Sequence, residues 1–80
     1  MKLPRDLTGS DLSKALGRLG YRVTRQTGSH IRLSMTERGE HHIPLPAHNP
    51  LKIGTLAAIL SDLENHHKLT REKLINALFG

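Results

Sequence analysis

Apolar positions along the chain fall into three stripes of helical spacing and three short stretches of alternation. Leu12, Ala15, Leu16 and Leu19 recur at i, i+3, i+4 and i+7, which is one face of a helix. Thr8 precedes them as an N-cap, with Asp11 placed to complete a capping box and Leu7 and Leu12 spaced for a hydrophobic staple. Gly20 supplies the left-handed residue that ends such a helix. From Tyr21 to Gln26 the period changes to two, with Tyr21, Val23 and Arg25 on one side and Arg22 and Thr24 on the other. Thr27, Gly28 and Ser29 predict a turn. A second strand then directs Ile31, Leu33 and Met35 one way and His30, Arg32 and Ser34 the other. Beyond a turn at Glu37, Arg38 and Gly39, a third strand sets His41, Ile43 and Leu45 against His42 and Pro44. Pro44 has no N–H for a ladder, so this strand belongs at a sheet edge. Leu56, Ile59, Leu60 and Leu63 form a second helical stripe, and Leu74, Ile75 and Leu78 a third, opened by Thr70 as N-cap with Leu69 and Leu74 as a staple.

The order α-β-β-β-α-α predicts an α+β fold: a three-stranded antiparallel meander with helices on one face and solvent on the other. The solvent face would carry His30, Arg32, Arg22 and His42. No linker, repeat or low-complexity stretch interrupts the pattern, so residues 1–80 are expected to form one domain. A chain this short buries only roughly 60% of its unfolded surface, too thin a core to enclose a deep cofactor pocket. Function is therefore expected on an open face, with a macromolecular substrate and no cofactor.

Charge narrows the partner. Twelve Lys and Arg against seven Asp and Glu leave a formal net charge of +5, which attracts polyanions over much of so small a surface. One Tyr and one Phe are the only aromatics, so RNA recognition is expected through backbone charge and shape rather than base stacking. Cysteine is absent, which removes disulfides and thiolate zinc sites. The stretch Met1-Lys2-Leu3-Pro4-Arg5-Asp6 lacks the apolar run of a signal peptide, and Leu56 to Leu60 is too short to cross a bilayer. The expected compartment is a reducing cytoplasm, without a membrane partner.

Six histidines add proton chemistry to this basic surface. In Gly28-Ser29-His30, alternation turns the His30 ring away from Ile31 and Leu33, while Gly28 permits a tight turn and close approach of a ligand. Pro44-Leu45-Pro46-Ala47-His48, running into Leu51-Lys52-Ile53-Gly54-Thr55-Leu56, predicts an edge strand, a loop and a helix start. Unpaired N–H groups at a helix start favour phosphate, and Lys52 adds a point charge there. Taken alone, each stretch reads first as an ordinary hairpin turn or helix opening.

In this order, behind an amphipathic helix, the segments resemble the HicA family of toxins from bacterial toxin–antitoxin pairs. The matching pieces are Leu19-Gly20-Tyr21, Gly28-Ser29-His30, Pro46-Ala47-His48 and Gly54-Thr55-Leu56, and the resemblance covers roughly residues 3 to 65. It implies a fold like that of double-stranded-RNA-binding domains, here with an extra C-terminal helix. It also implies a ribosome-independent mRNA endonuclease with His30 as its catalytic histidine, and a HicB-like antitoxin that masks the active site. The sequence departs from the family pattern at Ile31, where many members have a second His, at Ile53, where Pro is common, and in a longer C-terminal stretch containing His66 and His67. The oligomeric state is left open, a homo-oligomer included.

The chemistry is coherent from below. RNA carries its own nucleophile, the 2′-hydroxyl, so cleavage needs a base, a source of positive charge for the phosphorane oxygens and an acid for the leaving oxygen, without a metal. An imidazole, which ordinarily titrates near about 6.5, suits either proton transfer. His30 is the candidate acid/base. Arg22, Arg32 and Lys52 are candidate phosphate ligands, together with Gly28, Ser29, Gly54 and Thr55. His48 is a candidate second proton-transfer group, with His42 competing on the sheet face. His41 should face the core side of the edge strand in a structural role. His66 and His67 suit the negative end of the second helix; adjacent histidines chelate poorly on a helix, so no metal site is expected. Two other functions use the same surface: a non-catalytic RNA-binding module, and a protein-interaction domain with an acidic partner.

Overall fold

A computed structural model describes residues 6–80 of the chain. The elements follow in the order α1 (Gly9–Gly17), β1 (Arg22–Thr27), β2 (His30–Met35), β3 (His41–Pro46), α2 (Ile53–His67) and α3 (Arg71–Phe79). The strands form one antiparallel sheet in the order β1-β2-β3, so both β1 and β3 are edges and Pro44 occupies one of them. The helices cover one face. The architecture is the α+β, double-stranded-RNA-binding-domain-like arrangement expected from the pattern, with α3 appended. The expectation about the amino-terminal segment falls on residues 1–5, which lie outside the described residues.

The capping box forms as the sequence predicts. Asp11 N–H donates to Thr8 Oγ1 at 3.0 Å, and Thr8 N–H donates to Asp11 Oδ2 at 3.1 Å. These bonds stabilise the ionised carboxylate and hold Asp11 below the ordinary aspartate range. At the other end, the last turn tightens: Leu19 N–H donates to Leu16 C=O and Gly20 N–H to Gly17 C=O. Tyr21 N–H then reaches back to Leu16 C=O, the closing bond of a Schellman motif with Gly20 at φ 98°.

The apolar stripes meet where expected. Leu12 and Leu16 of α1, Leu33 and Met35 of β2, Ile43 and Leu45 of β3, Leu60 and Leu63 of α2, and Leu74 and Leu78 of α3 are almost completely buried. Burying each such side chain contributes about 1.5–3 kcal/mol. Thr70 caps α3 by accepting from Lys73 N–H at 3.2 Å. The helix is tied to α1 by Arg18, whose guanidinium donates to the Leu78 carbonyl at 3.0 Å and the Gly80 carbonyl at 2.5 Å. Arg71 links α3 to α2 through a two-pronged pair with Glu64, at 2.9 and 3.2 Å.

One close approach fixes the loop after β3. Ala47 N–H donates to the Ser29 carbonyl at 2.7 Å, Gly9 N–H to the His48 carbonyl at 3.0 Å, and Leu51 N–H to the Leu7 carbonyl at 2.7 Å. A Cβ at Gly9 would lie 2.7 Å from the Pro46 carbonyl oxygen, so only glycine lets α1 start against this loop.

Candidate functional site

The outer face of the sheet is built by the strand register. Thr27 pairs with His30, Arg25 with Arg32 and Arg22 with Ser34 across β1 and β2. His30 pairs with Pro46, Arg32 with Pro44 and Ser34 with His42 across β2 and β3. Residues paired in this way share a face. His30 and Arg32 are exposed, while Ile31, Leu33 and Met35 point into the core, as the alternation in β2 predicts.

Strand β1 departs from its predicted alternation. A bulge between Val23 and Arg25 inserts Thr24 as an unpaired residue, and the register shifts by one. Simple alternation put Arg25 beside Val23 on the inner side. The bulge instead turns it outward, directly opposite Arg32. Every residue of β1 is exposed, and Val23 is still 49% accessible although it pairs with Leu33. The turn is also tighter than expected: Thr27 ends the strand and only Gly28 and Ser29 form the loop, with Gly28 at φ 57°.

His30 therefore lies in an open depression of about 320 Å³, bordered by Arg25, Thr27, Ile31, Arg32 and Pro44. The ion pairs among the described residues are His41–Asp62, His42–Glu40 and Arg71–Glu64, so neither Arg25 nor Arg32 has a carboxylate partner there. Like charges directly opposite on neighbouring strands repel. Beside the pair, a Cβ at Gly28 would meet nothing within 4 Å, which leaves the turn backbone open to a ligand. An exposed imidazole next to two unneutralised guanidinium groups is an arrangement suited to a phosphodiester.

A protein-family model described as the HicA toxin of bacterial toxin–antitoxin matches residues 9–64, more than half of the chain. The chain belongs to the HicA toxin family. The match begins with α1, runs through the sheet and ends within α2, so it contains Gly28-Ser29-His30, Pro46-Ala47-His48 and Gly54-Thr55-Leu56. It stops before His66, His67 and α3. Toxins of this family imply a cognate antitoxin. No curated protein and no solved structure shows significant similarity to the chain.

The candidate residues do not all converge on one point. Arg32 stands beside His30, but Arg22 is near the opposite end of the sheet, opposite Ser34, four residues and about 13 Å along the strand. It borders a separate depression with Gly20, Thr24 and Glu37. His48 lines a third depression, with Thr8, Ser10 and Ser13 around the start of α1 and Gln26 of β1. Ile31 borders both that depression and the one holding His30. Ser29 reaches this end of the sheet through its carbonyl bond from Ala47. Lys52 is the N-cap of α2 without a side-chain cap, and Gly54 and Thr55 belong to its first turn. Thr55 borders a depression with Ile43 and Pro44, so this helix start lies beside β3. Arg25 is the cation that the sequence pattern assigned to the wrong side.

The remaining histidines have other partners. His42 Nδ1 and the Ser34 hydroxyl are 2.7 Å apart, and Ser34 is 2.9 Å from the Thr24 hydroxyl. That chain of polar groups lies away from His30. His41 is half-buried toward the helices, as expected, with His66 and His67 gathered against it. Burial holds His67 below the ordinary imidazole value, helped by His66, His41 and Arg38. Burial, with the Asp62 charge adding to it, pushes the Tyr21 phenol up to about 12.

Proposed function

We propose that the chain is an mRNA endonuclease toxin that cleaves RNA by attack of the ribose 2′-hydroxyl, with His30 as the acid/base. The observation that supports this reading most is the depression shared by His30, Arg25 and Arg32. The imidazole takes the 2′-hydroxyl proton, the freed oxygen bonds to the adjacent phosphorus, and the P–O5′ bond breaks as the 5′-oxygen receives a proton from the same imidazolium or from water. The products are a 2′,3′-cyclic phosphate and a 5′-hydroxyl. Arg25 and Arg32 stabilise the negative charge that accumulates on the equatorial oxygens. Gly28 and Ser29 let the backbone approach, while Lys52, Gly54 and Thr55 receive a neighbouring phosphate at the α2 start. Arg22 extends the basic track rather than serving the reacting phosphate. RNA is recognised by its backbone, and ribosomes are not required.

A HicB-like antitoxin is the proposed partner, covering the outer face in the cytoplasm; no helix among the described residues is long and apolar enough to cross a membrane. An acidic surface on that partner would complement the arginine pair.

One observation favours a second reading, a non-catalytic RNA-binding module. His30 is the only histidine bordering its depression, and His48 lines a different one. Catalysis then requires one imidazole to serve as both base and acid, or a water molecule as the second partner. The test is a defined RNA carrying a single 2′-deoxynucleotide at the mapped cleavage position. The nuclease reading expects loss of cleavage at that bond alone. Undiminished cleavage there would remove the proposed route.

A further inference from the structure

At the end of the sheet remote from His30, three imidazoles from two elements meet. His41 opens β3, while His66 and His67 close α2. One ring nitrogen of each lies within 4.8 Å of those of the other two. Adjacent histidines on a helix make a poor chelate by themselves. The fold supplies the missing third group by laying the end of α2 against the start of β3.

The outer nitrogens are already engaged in the way metal-binding histidines require. His41 Nε2 lies 3.1 Å from Asp62 Oδ1 and donates to it. His66 Nε2 donates to the Arg38 carbonyl at 3.1 Å. A carboxylate and a backbone carbonyl are the usual acceptors behind metal-ligating imidazoles, fixing tautomer and orientation. Both bonds leave Nδ1 with its lone pair. The Tyr21 hydroxyl gathers two of the inner nitrogens, at 2.5 Å from His41 Nδ1 and 2.9 Å from His67 Nε2.

We propose that His41, His66 and His67 form a binding site for a divalent transition-metal ion of the zinc type, which clamps the end of α2 to β3. Nitrogen ligands at 2.0–2.1 Å in tetrahedral geometry stand about 3.4 Å from one another, so the rings close by about 1.4 Å from their present limit. His41 and His66 are stacked face to face at 4.1 Å, and they splay to converge on the ion. Arg38 is the cation facing this cluster, and Asp62, paired with His41, is the carboxylate beside it. All three rings are partly exposed, which gives the ion an entry path, and the Tyr21 hydroxyl that now bridges His41 Nδ1 and His67 Nε2 gives way to the ion or takes its fourth position. His41 and His30 pair with opposite ends of the strand ladder, about 17 Å apart along β2, so the role is structural and independent of the nuclease reading. Two of its three ligands, His66 and His67, lie beyond the span that matches the family model.

The experiment uses the full-length chain without an affinity tag, stripped with a chelator and titrated with Zn²⁺ by calorimetry. Co²⁺ absorption serves as a second readout. The expected result is saturable uptake of one ion per chain, intense visible Co²⁺ bands typical of tetrahedral coordination, and a raised melting temperature with Zn²⁺. His66→Gln and His67→Gln should each abolish the bands while circular dichroism remains native. Asp62→Asn, which removes only the orienting carboxylate, should weaken affinity by about 10–100-fold. His30→Ala and His48→Ala should bind as wild type. Absence of one-to-one uptake, or uptake unaltered in folded His66→Gln, overturns the proposal whatever RNA cleavage does.

Discussion

Arg25 and Arg32 face each other across β1 and β2 on the solvent side of the sheet, and no carboxylate among the described residues neutralises either one. Their mutual repulsion is a cost the fold bears without return until an anion binds. Arg25→Ala and Arg32→Ala should therefore leave stability unchanged or raise it by about 0.2–1 kcal/mol. The same substitutions should weaken RNA binding and flatten its salt dependence by about 0.7 in log–log slope for each lost contact on a single strand. Chemical denaturation and binding across a salt series measure the two effects separately.

The bulge at Thr24 explains why this pair was hidden in the sequence. Alternation correctly sorted β2 and β3, because Ile31, Leu33, Met35, Ile43 and Leu45 are all buried and leave no freedom of register. Strand β1 is exposed throughout, so no core contact enforces its pattern, and one extra residue reverses the side on which Arg25 stands. The helices were legible for a related reason: Thr8, Asp11, Gly20 and Thr70 are local signals that need no tertiary partner. The separation of His30 from His48, and the gathering of His66 and His67 against His41, depend on how distant segments cross. Nothing in local spacing records that.

Gly9 is the residue on which the position of His48 depends, through its N–H bond to the His48 carbonyl and its contact with Pro46. Gly9→Ala should destabilise the protein by about 1–3 kcal/mol, as an inserted methyl group meets backbone that cannot yield easily. Equilibrium unfolding measures the loss. Amide shifts confined to the 46–51 loop and the start of α1 would locate it.

The Thr8–Asp11 box predicts an acid-side dependence. Asp11 is held below the ordinary aspartate range by its bonds to Thr8, so its contribution is present above the unfolded value and is lost as pH falls through the lower folded one. A carbon-detected titration of the Asp11 carboxyl should give a midpoint below that of the unfolded chain. Thr8→Ala should restore the ordinary value and cost about 1 kcal/mol through loss of the cap.

Tyr21 sets the alkaline limit. Its phenol is raised from 10.0 to about 12 by burial and by Asp62, so the folded state retains a proton that the unfolded chain releases. Its contribution to stability is complete below pH 10 and declines as pH rises toward 12. Ultraviolet difference titration of folded protein should show phenolate appearing near 12 rather than 10, and denaturant midpoints should fall across that interval.

Arg18 anchors α3 by donating to the carbonyls of Leu78 and Gly80. Arg18→Ala should cost about 1–2 kcal/mol, since hydrogen bonds from charged donors are the stronger kind. Amide exchange in α3 should accelerate more than exchange in the sheet, which distinguishes local release of the helix from general loosening.

The most direct test of the account is a comparison of wild type and His30→Ala on the same mRNA fragment, with cleavage and binding measured side by side. The variant should fold normally, bind RNA within a few-fold of wild type and fail to cut it. A folded variant that still cleaves at the wild-type rate would contradict the assignment of proton transfer to His30.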